Sequence, residues 1–408
     1  MKKIILLSLF FVVNLSIFAE HFSAVNRGRV LYYNILNEDE KTMEVTFRGA
    51  SFDLVKDEYV EHVYVPETVI RMGKKYTVVR VSDNAFRGCS RLRSVSLPSS
   101  IKEIGVAVFE GFSSLAKVVL PDSIDIIRSR SFAGCISLES IIIPSLVERI
   151  EDEAFADCEL LETFHFPKQL TSYDEDVWIG TISLNSFTVD PENSQFSSID
   201  GVLYDKTGKV ILRVPEGKAS VQIADSVRVV GEKSFSNCKV LKSVVLPESI
   251  VQIDSYAFEN CIALSSLSFP KSITRLAEGV CKGCESMTEI VFSDKMIRVG
   301  QSAFENCKSL SKIDFAKVEE LGKRSFFACD SLKEVTLPVT LKSIETETFG
   351  DCLSLLKITS LALEPAQCEV GAFDARSTYK CLLFVPGAAV QKYRSAQGWK
   401  GLYHVNKL

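Results

Sequence analysis

The sequence predicts an α/β repeat solenoid, in which coils of about 23 residues each add a short strand to a β-ladder. An aromatic anchor, a Val-x-Leu-Pro run and a cysteine recur in register along most of the 408 residues. The stretch Ala85–Gly105, AFRGCSRLRSVSLPSSIKEIG, contains all three. No single helix or strand template accommodates it. The next 23 residues repeat it, with Phe109, Leu115, Val118, Leu120, Pro121, Ile124 and Ile127 at the same offsets. Size alone suggests two or three domains, but repeat architectures grow by stacking, so one long body is the better reading.

The anchors run Phe86, Phe109, Phe132 and Phe155 at steps of 23, and the same step reaches Trp178. Leu184, Phe187 and Val189 follow Trp178 at offsets of 6, 9 and 11, which makes it the same anchor in larger form. After an interruption the series resumes as Phe235, Phe258, Cys281, Phe304, Phe326 and Phe349, with one step of 22. A partial unit begins at Phe373 and reaches Val385-Pro386.

Within a unit, Val95-x-Leu97, Ile141-x-Ile143, Val244-x-Leu246 and Val335-x-Leu337 alternate with period two, as half-buried strands do. Pro98, Pro121, Pro144, Pro247, Pro270 and Pro338 end that strand, because proline has no N–H for a ladder bond. Ile-x-x-Ile turns the chain around the coil, and Ala-Phe-x-x-Cys reads as one helical turn returning it. One coil cannot close a core, so stability is a sum of nearest-neighbour contacts.

The motif Ala-Phe-x-x-Cys-x-x-Leu-x-x-Ile-x-Leu-Pro-x-x-Ile-x-x-Ile resembles the BspA-like leucine-rich repeat family of bacterial surface and secreted proteins, over residues 78–386. The segment DPENSQFSSIDGVLYDKTGKVILRVPEG is similar to that family's hairpin insertion, and CLLFVPGAAVQKYRSAQGWKGLYHV to its C-terminal segment. The chain departs from the usual leucine-rich pattern in having no asparagine ladder and in placing Phe112 at one cysteine position. The resemblance implies a non-enzymatic binding protein, adhering to host or neighbouring-cell proteins.

The domain reading has six segments. Residues 1–19, MKKIILLSLFFVVNLSIFA, are an export signal, with two lysines, an apolar run and a small residue at the cleavage point. The run is shorter than the roughly 20 residues of a membrane span, which disfavours a retained anchor. Residues 20–80 form a β-rich cap, 81–189 a first block of coils and 190–216 a hairpin whose Gly208 suits a positive φ. Residues 217–359 are a second block, and 360–408 a partial repeat and C-terminal cap whose Trp399 seals the last coil. A secreted or cell-surface location follows.

A net charge of −5 without a basic block excludes nucleic acid and anionic lipid as partners by bulk electrostatics. No cofactor or metal site is expected. The Cys281–Cys284 C-x-x-C falls on repeat positions and lacks a second pair, and Asp200 and Asp205 read as a solvated turn rather than a calcium site. The four histidines, His21, His62, His165 and His404, are scattered, and none sits beside a convincing nucleophile.

Nine of twelve cysteines share one repeat position: Cys89, Cys135, Cys158, Cys238, Cys261, Cys284, Cys307, Cys329 and Cys352. Placed on convex helical turns about 8–10 Å apart, they lie beyond the roughly 7 Å limit for a disulfide and read as small buried side chains. Cys368 and Cys381 lie outside the array, and a bridge and two free thiols fit the sequence equally.

The outward strand face is polar, mixed in sign and short of aromatics, which suits extracellular or host-surface proteins better than sugars. Its candidate binding residues are Lys117, His165, Glu289, Lys312, Asp314, Glu334 and Lys357, with an envelope protein lacking a ligand and a carbohydrate module as the competing readings.

Overall fold

The computed structural model describes residues 21–49 and 58–408, and the expected export signal at residues 1–19 lies outside them. The strands His21–Asn26, Arg29–Asn37, Thr42–Thr46, Thr68–Arg71 and Lys74–Val81 form one capping sheet. Its last strand runs on into the solenoid, because Arg80 and Val81 pair in parallel with Glu103 and Ile104 of the first coil. Tyr59 seals this junction, with its ring edge-on to Phe86 at 5.1 Å and its hydroxyl donating to the Thr46 carbonyl at 2.7 Å.

Most coils contribute to two parallel ladders, the stretches 140–143 and 266–269 following the course of the first without strand pairing. The first contains the expected strands, such as Thr163–Phe166 beside Ser186–Val189 and Glu334–Leu337 beside Lys357–Ser360, in a register of 23 residues. It ends with Leu382–Val385 and His404–Lys407. The second is built from the Ile-x-x-Ile segments, read above as simple turns. There Ile126–Ile127, Arg149–Ile150 and Ser172–Tyr173 pair in series, as do Arg298–Val299, Glu320–Leu321, Ser343–Ile344 and Gln367–Cys368.

The α part of the expected α/β class is wrong: the solenoid is nearly all β. Among the described residues helix is confined to Ala375–Thr378, Val390–Ser395 and the 3₁₀ turn Gly387–Ala389. Ala-Phe-x-x-Cys is a turn with left-handed backbone on both sides of the anchor. Ala107 (φ 55°) and Gly111 (φ 73°) flank Phe109, and Tyr256 (φ 57°) and Asn260 (φ 57°) flank Phe258. This geometry aims the anchor N–H at the neighbouring coil instead of back along a helix. Phe109 N–H donates to Ser131 O at 2.9 Å, Phe132 to Ala154 at 2.8 Å and Phe258 to Val280 at 2.8 Å. The residue before the repeat cysteine is Gly, Asn or Asp in most coils, as a left-handed position favours.

The anchors line up as a column on each side of the hairpin, with the ring stack of the second block broken at Cys281. Ring centroids are 5.2 Å apart for Phe109–Phe132, 5.3 Å for Phe132–Phe155 and 5.6 Å for both Phe326–Phe349 and Phe349–Phe373. Trp178 takes an anchor place as expected, buried at 5.1 Å from each of Phe164, Tyr173 and Phe187. Trp399 closes the far end, 5.7 Å from Phe373, with its indole N–H on Ala366 O at 2.8 Å. No helix among the described residues is long and apolar enough to cross a membrane.

The insertion forms the expected hairpin, Phe196–Ile199, Val202–Asp205 and Val210–Arg213. Asp205 serves the turn itself, accepting from Lys209 N–H and Val210 N–H at 2.9 Å each. Both ladders are interrupted here, and Gly180 N–H has no next coil to donate to. Glu216 supplies the acceptor, its Oε2 lying 3.0 Å from that nitrogen. Its Oε1 pairs with the buried Arg213 at 3.2 Å, and Arg213 Nη1 donates to Lys233 O at 3.0 Å. One buried ion pair thus ties the two blocks together.

Phe258, fully buried with its ring 4.6 Å from Phe235, sits deep in the column. Phe258→Ala is expected to cost about 3–5 kcal/mol, read as a lowered midpoint in chemical denaturation; an unchanged midpoint contradicts the anchor role. Burial pushes the Glu216 carboxyl up to about 7, against the pull of Arg213 and the Gly180 amide. A carboxyl raised on folding takes up a proton, so stability falls as pH rises from its ordinary 4.5 to about 7 and levels off above. Glu216→Gln keeps an acceptor for Gly180 and is expected to flatten that slope, measured by urea midpoints on either side of this window.

Candidate functional site: the outward face of the first ladder

Strand alternation divides the first ladder into two faces. Val95, Val118, Ile141, Phe164 and Phe187 point into the first block, and Val244, Leu267, Ile290, Val335, Ile358 and Leu383 into the second, all buried. The residues between them form two outward rows. One row carries Ser94, Lys117, Ser140 and Thr163, then Ser243, Ser266, Glu289, Lys312, Glu334 and Lys357. The other carries Ser96, Val119, Ile142, His165 and Thr188, then Val245, Ser268, Val291, Asp314 and Thr336. Thr359, at the next position of this second row, is buried.

The structure brings four of the seven candidate residues together as two ion pairs across adjacent rungs. Lys312 meets Glu289, and Lys357 meets Glu334 at 3.1 Å, with the Lys357 ammonium also 6.0 Å above the Phe384 ring. Asp314 is turned back on its own strand end, accepting from Ala316 N–H at 2.9 Å. His165 is exposed, its Nδ1 2.9 Å from Thr188 Oγ1 on the next strand. Lys117 is exposed and has no ion pair among the described residues. The second-block charges are therefore largely spent on one another, which an offset of 23 between a Glu and a Lys could have signalled. Exposed pairs of this kind contribute little to stability.

The first-block face carries no such pairs among the described residues, and its exposed apolar groups sit on adjacent rungs, whereas the exposed Val245 and Val291 of the second block are separated by Ser268. Val119 and Ile142, on neighbouring rungs, are 69% and 77% exposed. Tyr64 extends the same row, because Glu61–Tyr64 pairs in parallel with Leu92–Ser96 and sets Tyr64 beside Ser96. Its ring lies 4.2 Å beneath the Arg27 guanidinium. The sequence hid this residue, since Tyr64 and Ser96 are 32 apart instead of 23. The face thus runs from an aromatic through two β-branched side chains to His165, with Lys117 alongside. The strip is exposed and partly apolar.

The remaining chemistry-bearing groups are inward. All twelve cysteines are buried free thiols, Cys368 and Cys381 included. The repeat thiol has a defined partner: Cys158 Sγ donates to Phe132 O at 3.2 Å, Cys284 to Phe258 O at 3.2 Å and Cys352 to Phe326 O at 3.1 Å. Each reaches back to the anchor carbonyl of the preceding coil. The helical spacing expected above does not apply, because ladder-bonded backbones lie about 4.8 Å apart; the thiols are directed to carbonyls rather than to one another. Burial pushes the thiols of Cys238, Cys368 and Cys381 up to about 12. His62 Nδ1 lies 2.7 Å from Ser94 Oγ on the exposed face, and among the described residues no carboxylate orients that ring.

A family model for BspA-type leucine-rich repeat regions matches this chain in six copies, over residues 79–201, 218–321 and 298–380. No curated protein sequence matches. Among solved structures, the pneumococcal vaccine antigen PcpA is similar at 17% identity, covering 95% of this chain and 98% of that one with a TM-score of 0.57. A leucine-rich repeat protein from Bacteroides ovatus is 22% identical over 93% of this chain and 98% of its own, with a TM-score of 0.53. A leucine-rich cell surface protein from Faecalibacterium prausnitzii is 22% identical over 83% and 94%, with a TM-score of 0.51. At these identities the likeness is one of fold.

The buried, weakly acidic thiols give a direct test of the packing. The native protein is expected to resist alkylation by iodoacetamide at neutral pH and to take up twelve labels only after denaturation, counted by mass spectrometry. Rapid native labelling at the repeat positions contradicts the thiol-to-carbonyl arrangement.

Proposed function

The chain belongs to the BspA-type leucine-rich repeat family, and from that premise we propose that it is a non-enzymatic protein of the cell surface or the surrounding medium that binds other proteins through the outward face of its first ladder. The observation that carries this reading is the strip formed by Tyr64, Val119 and Ile142. It holds apolar side chains in water, with the backbone paired in parallel from Tyr64 through Ser96 to Val119 and Ile142 on the rung beyond. A preorganised surface loses little ordering entropy on association, so modest contacts yield useful affinity. Lys117 and His165 supply the polar rim that orients a partner. The Glu289–Lys312 and Glu334–Lys357 pairs and Asp314 add register at the other end, since pairs already satisfied in the free protein gain little from a partner.

Extracellular or host-surface proteins are the partners this face suits, as it lacks the stacked aromatic platform that sugars favour. The test is a binding screen of residues 20–408 against extracellular matrix proteins, with intact host cells and free glycans as comparators. Saturable binding to a protein is expected, lost at least about tenfold in the Val119→Asp/Ile142→Asp variant, whose unfolding midpoint stays near that of the parent. Binding to glycans alone, or protein binding indifferent to that variant, overturns the reading.

A further inference from the structure

The last coil, like the coil before the hairpin, lacks the next coil that the others use. In four coils the amide three residues before the anchor donates to a carboxylate of the next coil. Ser129 N–H meets Glu151 at 3.0 Å, Asp152 meets Asp174 at 3.1 Å, and Lys323 and Thr346 meet Glu345 and Glu369 at 2.8 Å each. In most coils the amides two residues before the anchor and at the anchor donate to the next coil's carbonyls, as Arg324 does to Thr346 at 3.2 Å and Phe326 to Thr348 at 3.0 Å. The equivalents in the terminal coil are the amides of Val370, Gly371 and Phe373. None of the three has an acceptor among the described residues.

These donors border an open cavity of about 470 Å³ in place of a further coil. Gly398, Lys400 and Tyr403 of the cap form its other side. Val370 and the 72%-exposed Tyr403 supply apolar walls, Phe373 closes the inner end, and the Lys400 ammonium has no ion pair among the described residues. The nearby Asp374 carboxylate is turned back, with Oδ2 3.0 Å from Asp351 N–H and 2.7 Å from the Arg376 guanidinium. Arg376 also pairs with Asp351, so these charges are satisfied within the coil.

We propose that this mouth binds a carboxylate borne on an apolar group. The protein already shows which acceptor its orphaned coil amides take. Carboxylates fill the position equivalent to Val370 in four coils, and Glu216 fills the vacancy at Gly180 where the hairpin interrupts the array. An incoming carboxylate at Val370 and Gly371 repeats that bond, Lys400 completes its charge, and the attached group lies against Tyr403 and Val370. The C-terminal residue of a polypeptide and a free aromatic acid share this chemistry. The site shares no residue with the ladder face and stands independently of the function proposed for it.

N-acetyl-L-phenylalanine and its amide, titrated into residues 20–408 with amide shifts followed by NMR, test the proposal. The acid is expected to shift the Val370, Gly371 and Phe373 amides saturably, with the amide at least about tenfold weaker. Lys400→Gln is expected to weaken the acid by about tenfold while leaving the unfolding midpoint in place. A peptide ending in phenylalanine, with its amidated form as control, separates the sources: tighter binding than the free acid assigns the site to polypeptide ends, weaker binding to small acids. No shift of these amides at millimolar acid, or equal shifts by acid and amide, overturns the proposal.

Discussion

The fold depends on backbone donors aimed from one coil to the next. Left-handed residues on either side of each anchor turn the Phe109, Phe132 or Phe258 N–H toward the following coil. The buried turn satisfies its polar groups only when that coil is present. This constraint explains why units cannot stand alone. It also explains the devices at each irregular point: the capping sheet fused to the first coil, the Glu216 carboxylate at the hairpin, and the amides left open beside Phe373 at the end.

The interior follows from the same geometry. A column of aromatic anchors fills the space between the ladders at spacings set by the backbone. The repeat cysteine is small enough to pack beside its anchor and polar enough to donate to the anchor carbonyl of the preceding coil. Serine, a stronger donor with less apolar surface, fits such a position less well. The thiol is thus a packing group with a weak hydrogen bond, and its burial keeps it protonated and unreactive.

Periodicity has a different consequence outside. When a glutamate and a lysine occupy the same repeat position in successive coils, the ladder sets them side by side, and the second-block face neutralises itself. The first-block face carries Ser94, Ser140 and Thr163 at those positions, with Lys117 as its lone lysine, and in the neighbouring row Val119 and Ile142 stay in contact with water on adjacent rungs. Regular backbone spacing therefore yields two chemically distinct regions on one continuous surface.

Much of this was legible in the sequence. Steps of 23 placed the anchors, including Trp178 and Cys281, and the period-two strands, the hairpin, the cap and the sealing role of Trp399 followed from local pattern. The helical turn was misread because Ala-Phe-x-x-Cys suits a helix by composition; the Gly, Asn or Asp before each cysteine was the signal against it. Which N–H finds which carbonyl, that Glu289 meets Lys312, that Tyr64 joins the row of Ser96, and that the final amides face an open cavity were decided by tertiary structure. Repetition within one chain reveals which positions are equivalent, whereas the partner of each polar group depends on how neighbouring coils are set against one another.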